Sequence, residues 1–179
     1  MVRTFIAVEP SDEIKNTLVA AGCSLRGTPA RITSVQAPLM HITLKFLGEI
    51  TESQIPKITT ALHDIRACPY QITVLGVGVF GRPPRIIKAE IRDGEATVDL
   101  ARQVDALLLP MGIAKNLKPF SPHLTIARIK EYSPALQPKI IALKNQPSFG
   151  TCTIDEVVFK KSTLTPSGPM YETIAGVKL

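Results

Sequence analysis

A chain of 179 residues with 45% hydrophobic and 20% charged content can bury a sizeable core, which argues for one folded domain and against disorder. Its net charge of +6 favours an anionic partner, while the scatter of its basic residues excludes a polybasic membrane or localisation signal. Cys23, Cys68 and Cys152 are widely spaced and odd in number. They read as reduced, buried thiols of a cytoplasmic protein, not as a disulfide framework or a zinc site.

In chain order, Met1 to Val8 is too short and too soon charged for a signal peptide, and no apolar run approaches membrane length. Thr4 to Val8 predicts a strand ended by Pro10. Ser11 is a candidate N-cap with Asp12 and Glu13 in the first turn, and Ile14, Leu18, Ala21 and Leu25 mark one helical face closed by Gly27. Arg31 to Gln36 suits a short strand, and Leu39 to Leu47 a longer one ended by Gly48. Thr51 to Gln54 resembles a capping box before a helix bearing Ile55, Ile58, Leu62 and Ile65, with Ser53 an equally good N-cap. Gln71 to Phe80 and Ile86 to Ile91 form strands around the turn Gly81-Arg82-Pro83-Pro84-Arg85.

Two short stretches repeat. Met40-His41-Ile42-Thr43-Leu44 returns as Pro122-His123-Leu124-Thr125-Ile126, with the histidines 82 positions apart in a chain that has three. On a strand, residues i and i+2 share a face, so each histidine projects beside its threonine, backed by buried Ile42 and Leu44 or Leu124 and Ile126. The same offset of 82 carries Phe5 onto Ile87 and the first helix onto 93–108, where Val98, Ala101, Val104 and Leu108 form a stripe that ends before Pro110. It carries the second helix onto 134–148, capped by Ser133 with Pro134 in the first turn, and the strand 70–80 onto 152–162. The last strand, Tyr171 to Val177, parallels Ile86 to Ile91.

Residues 1–179 are therefore expected to form a single domain of two repeated halves, each closed by a hairpin. The expected class is α+β: two pseudo-symmetric lobes, each a mainly antiparallel sheet with helices on its outer face, flanking a central cleft. Two facing imidazoles can run both ends of one displacement, one taking a proton and the other giving it. Opening a cyclic phosphodiester matches this chemistry, with threonine hydroxyls donating to the phosphate oxygens and no metal required.

His41-Ile42-Thr43-Leu44 and His123-Leu124-Thr125-Ile126 resemble the paired H-x-T-x signatures of the 2H phosphoesterase superfamily. Lys45-Phe46-Leu47-Gly48, Ala127-Arg128 and the opening Phe5-Ile6-Ala7-Val8 resemble its branch of bacterial and archaeal RNA 2′,3′-cyclic phosphodiesterases, first described as 2′–5′ RNA ligases. That resemblance implies hydrolysis of RNA 2′,3′-cyclic phosphate ends, those of tRNA fragments among them, to 2′-phosphates. It gives His41 as proton donor, His123 as proton acceptor, and Thr43, Thr125 and Arg128 as phosphate-binding residues, with no cofactor. A cytoplasmic monomer without membrane association is expected. Ligation of tRNA halves, the reverse chemistry, and a non-catalytic RNA-binding module are the alternatives.

Several residues carry two readings. Strict alternation from His123 turns Arg128 toward the core, so it reaches a phosphate only if the strand ends, twists or bulges near Ala127. By the same parity Lys45 points outward and Phe46 packs in the core. A metal site would need a third ligand, and His63 lies far from both motifs on a helix surface. Lys115, Lys118, Arg82 and Arg85 could meet RNA phosphates and Phe120 could stack a base, or they could be solvated charges and a core ring.

Overall fold

A computed structural model of the chain describes residues 1–93, 95–115, 119–166 and 168–179. The elements begin β1 (Val2–Val8), α1 (Asp12–Ser24), β2 (Arg31–Ser34), β3 (Ile42–Ile50), α2 (Gln54–Leu62) and β4 (Tyr70–Phe80). They continue β5 (Ile86–Arg92), α3 (Ala96–Leu108), β6 (His123–Glu131), α4 (Gln137–Lys144), β7 (Gly150–Ile154), β8 (Glu156–Thr165) and β9 (Gly168–Lys178).

Local chemistry explains most of these boundaries. Ser11 caps α1 by accepting from the Ile14 amide at 3.4 Å, and the helix buries Ile14, Leu18 and Ala21 with Leu25 just beyond it. At α2 the box is half formed: the Gln54 side chain accepts from the Thr51 amide at 2.9 Å, while Ser53 makes no capping bond. Asp93 accepts from the Glu95 and Thr97 amides, each at 2.9 Å, and so caps α3. Ser133 caps a single 3₁₀ turn at Pro134–Leu136, and α4 starts only after it.

All strand pairs are antiparallel and form two sheets, β3-β1-β8-β9 (sheet A) and β2-β6-β5-β4-β7 (sheet B). The α+β class with two lobes is as expected, but the lobes are not the halves. Sheet A joins β1 and β3 to β8 and β9, and sheet B joins β5 and β6 to β2, β4 and β7. The expected single strand at 152–162 is two strands: β7 ends at Ile154 in sheet B and β8 begins at Glu156 in sheet A. No glycine or proline marks this crossing at Asp155.

Helices α1 and α4 lie on sheet B, while α3 lies on β3 and carries α2. One apolar cluster runs from Ile6, Val8, Ile42 and Leu44 of sheet A to Ile87, Ala89, Leu124 and Ile126 of sheet B. No described helix is long and apolar enough to cross a membrane. The three thiols are free, but the expectation that they are buried is wrong. Cys23 and Cys68 are exposed, on the solvent side of α1 and in the loop after α2, and Cys152 is half-buried on the edge strand β7.

Candidate active site

Both motifs line one cleft of about 1040 Å³ between the sheets. His41 lies just before β3 and His123 opens β6. Each imidazole is fixed in the same way: Nδ1 donates at 2.9 Å to the carbonyl two residues earlier, Leu39 for His41 and Ser121 for His123. A carbonyl can only accept, so Nδ1 carries the proton and Nε2 is left to the cleft. Thr43 and Thr125 are half-buried and line the same space. Among the described residues, neither Nε2, neither threonine hydroxyl nor the Arg128 guanidinium has a hydrogen-bond or ion-pair partner.

The walls around the two rings differ. His41 packs against Phe5 (centroids 4.7 Å) and the edge of Tyr171 (5.3 Å). Burial pushes its pKa from the usual 6.5 down to about 4, outweighing the Leu39 hydrogen bond; the Lys160 and Arg128 charges lower it further and Glu9 opposes them. Glu9 itself, despite partial burial, is held below the usual carboxylate range by hydrogen bonds from Lys15 and Lys160. His123 meets Phe80 edge-on at 5.6 Å. Its pKa is lowered by burial and by the Lys88 charge, against the Ser121 hydrogen bond. Lys88 pairs across the strands with Thr125, and its Nζ stands 4.4 Å from the Phe80 ring centre and 3.9 Å from Glu90. Both imidazoles are therefore neutral near pH 7 in the unliganded cleft.

Arg128 reaches the cleft because β6 bulges. Lys88 opposes Thr125 and Ile87 opposes Ala127, so Ile126 has no partner on β5. Ile126 and Ala127 are then buried in succession, and Arg128 comes out on the same side as His123 and Thr125. The first motif strand does the same. Leu44 is unmatched between Thr43 (opposite Ala7) and Lys45 (opposite Ile6). The slip reverses the parity expected for the next two residues: Lys45 is 1% exposed and Phe46 is 65% exposed. Lys45 is buried in a short ion pair with Asp105 and donates to the Ala114 carbonyl at 2.7 Å. Phe46 is a cleft residue, not core packing. Phe46 and Arg128 each stand five positions after their histidine, past equivalent bulges.

Of the remaining candidates, Lys115 lines the cleft, and Phe120 lines it while packing on the core. Arg82 and Arg85 are exposed in the β4–β5 turn and do not line it; Lys118 lies outside the described residues. His63 is exposed at the C-terminus of α2. No group of three or more His, Cys, Asp or Glu converges among the described residues. The sequence did not single out Tyr171, Phe80, Lys88 or the cleft-facing side of Phe5. They come from strands paired through long-range topology, which leaves no local signal.

The LigT-like phosphoesterase family matches the chain in two successive stretches, residues 8–87 and 92–171. The chain is 31% identical over 175 residues to the RNA 2′,3′-cyclic phosphodiesterase of Archaeoglobus fulgidus, covering 97% of this chain and 98% of that protein. It is 30% identical over 177 residues to the Methanothermobacter thermautotrophicus protein of the same name, covering 95% of each. The crystal structure of TT0787 of Thermus thermophilus superposes with a TM-score of 0.83 at 27% identity, over 99% of this chain and 97% of that one. With its doubled family match and these near-full-length relatives, the chain belongs to the LigT-like phosphoesterases.

Proposed function

We propose that the protein opens 2′,3′-cyclic phosphate ends of RNA to 2′-phosphates by acid/base catalysis from His41 and His123, without a metal. The observation that carries the reading is a set of groups on one cleft that have no partner among the described residues: two Nε2 atoms, two threonine hydroxyls and one guanidinium. Relatives named RNA 2′,3′-cyclic phosphodiesterase support the substrate class. His123, neutral and beside the Lys88 charge, takes a proton from water as the water oxygen bonds to phosphorus. The P–O3′ bond breaks, and His41 gives its proton to O3′, leaving a 3′-hydroxyl and a 2′-phosphate. Thr43, Thr125 and Arg128 donate to the non-bridging oxygens, whose charge grows toward the transition state.

The donor role suits the ring whose pKa is shifted further. Once protonated, an imidazolium with a depressed pKa is the stronger acid, well matched to an alkoxide leaving group. Its proton is held when the phosphate anion enters and supplies the negative charge that the empty cleft lacks.

An oligonucleotide ending in a 2′,3′-cyclic phosphate tests the proposal through product mass and regiochemistry. A 2′-phosphate product is expected, formed equally well in EDTA. His41→Ala and His123→Ala should each lower the rate by roughly 10²–10⁴-fold. A 3′-phosphate product, loss of activity in EDTA, or full activity in either variant would refute it.

A further inference from the structure

Arg128 both lines the cleft and is exposed, and the surface beside it is basic. It sits opposite Ile86 on β5, and the preceding residue, Arg85, accepts through its carbonyl from the Ile129 amide at 2.8 Å. Lys130 follows on β6, exposed like Arg128 with buried Ile129 between them, and is unmatched on β2 between Ile129 (opposite Ile32) and Glu131 (opposite Arg31). Arg82 is exposed in the β4–β5 turn, which the Arg85 amide closes on the Phe80 carbonyl at 2.7 Å. Phe80 itself is a cleft residue, so turn and cleft are continuous.

Buried Lys15, Lys45 and Lys160 and half-buried Lys88 each have a carboxylate nearby: Glu9 for Lys15 and Lys160, Asp105 for Lys45 and Glu90 for Lys88. Arg82, Arg85, Arg128 and Lys130 have none among the described residues, and Glu131, the acid closest in sequence, is taken by Arg31 at 3.3 Å. Exposed cations elsewhere, Lys57 and Lys144 among them, also have none among the described residues, so what sets this surface apart is that it adjoins the cleft. A row of unpaired guanidinium and ammonium groups recognises a polyanion, and the planar guanidinium suits phosphate.

We propose that the RNA strand upstream of the cyclic phosphate leaves the cleft across the β4–β5 turn, with Arg82, Arg85 and Lys130 holding its backbone phosphates. This rests on the phosphodiesterase reading above and extends it: the surface selects an RNA chain over a cyclic mononucleotide, which has no phosphate to place there.

The test uses the charge-reversed variant Arg82→Glu/Arg85→Glu/Lys130→Glu. It compares an oligonucleotide with a 2′,3′-cyclic phosphate end against adenosine 2′,3′-cyclic phosphate, by turnover and by fluorescence anisotropy of the labelled oligonucleotide. Oligonucleotide affinity should fall by ~10-fold or more, with its log–log salt slope reduced by about 2, at roughly 0.7 for each phosphate no longer neutralised. Turnover of the mononucleotide should change by less than about twofold, and Lys57→Glu on α2 should alter neither substrate. Unchanged oligonucleotide binding, or parallel losses on both substrates in a folded variant, would overturn the proposal. Should the triple variant not fold, Arg82→Gln/Arg85→Gln is read in the same way, with an expected slope reduction of about 1.4 for two contacts. Salt-sensitive oligonucleotide binding by a wild-type protein that opens neither substrate would instead overturn the phosphodiesterase reading, and the proposed path with it.

Discussion

His41 shows how one side chain can be set by packing and still be available for chemistry. Phe5 and Tyr171 exclude water from the ring, and the Leu39 carbonyl fixes its tautomer. The unliganded ring should titrate near 4, below its usual 6.5, because burial penalises the imidazolium. An anion in the cleft reverses that penalty, so sulfate should raise the His41 midpoint, take up a proton on binding and bind more tightly as pH falls below neutrality. NMR titration of the ring with and without sulfate, and calorimetry in two buffers of different ionisation enthalpy, check this; a free midpoint near 6.5 that sulfate leaves in place would contradict it. The sign for stability follows. Between pH 6.5 and 4 the unfolded chain protonates this residue first, so the unliganded protein loses stability as pH falls through that window.

At the scale of the element, the two motif strands owe part of their cleft lining to bulges. A regular strand would alternate faces, and Phe46 and Arg128 would point into the core; one extra residue in each strand turns them to the cleft. On β3 the same slip drives Lys45 inward, where Asp105 on α3 and the Ala114 carbonyl receive it. Removing Asp105 would strand that ammonium, so Asp105→Ala should cost about 3–5 kcal/mol in urea unfolding, while Lys45→Met, which removes the charge itself, should cost much less. Equal, small effects from both variants would show that the pair does not anchor β3 to α3.

For the whole molecule, each sheet needs strands from both halves. Separated peptides 1–84 and 85–179 would leave β1 without β8 and β4 without β5, exposing unpaired edges and apolar faces. Neither should fold alone, and the intact chain should unfold in one cooperative transition, with calorimetric and van't Hoff enthalpies in agreement. Two resolved transitions, or a half with native-like protection from proteolysis, would refute this. The exchange also carries Tyr171 of the last strand to His41 near the start, so the histidine's wall depends on the complete fold.

Periodicity and caps are local, so the sequence alone determined the helical stripes, the Ser11 cap, the paired His/Thr strands and the interleaved α+β order. The same local alternation misassigned Lys45 and Phe46 and left Arg128 undecided, because a bulge is a mismatch in length between two strands and belongs to neither. Only the tertiary structure decided which strands pair, where the chain crosses sheets at Asp155, and which aromatic and charged side chains surround each imidazole. Those are contacts between residues far apart in the chain. Their energies depend on burial and register, which come into existence only when the two sheets close on the shared core.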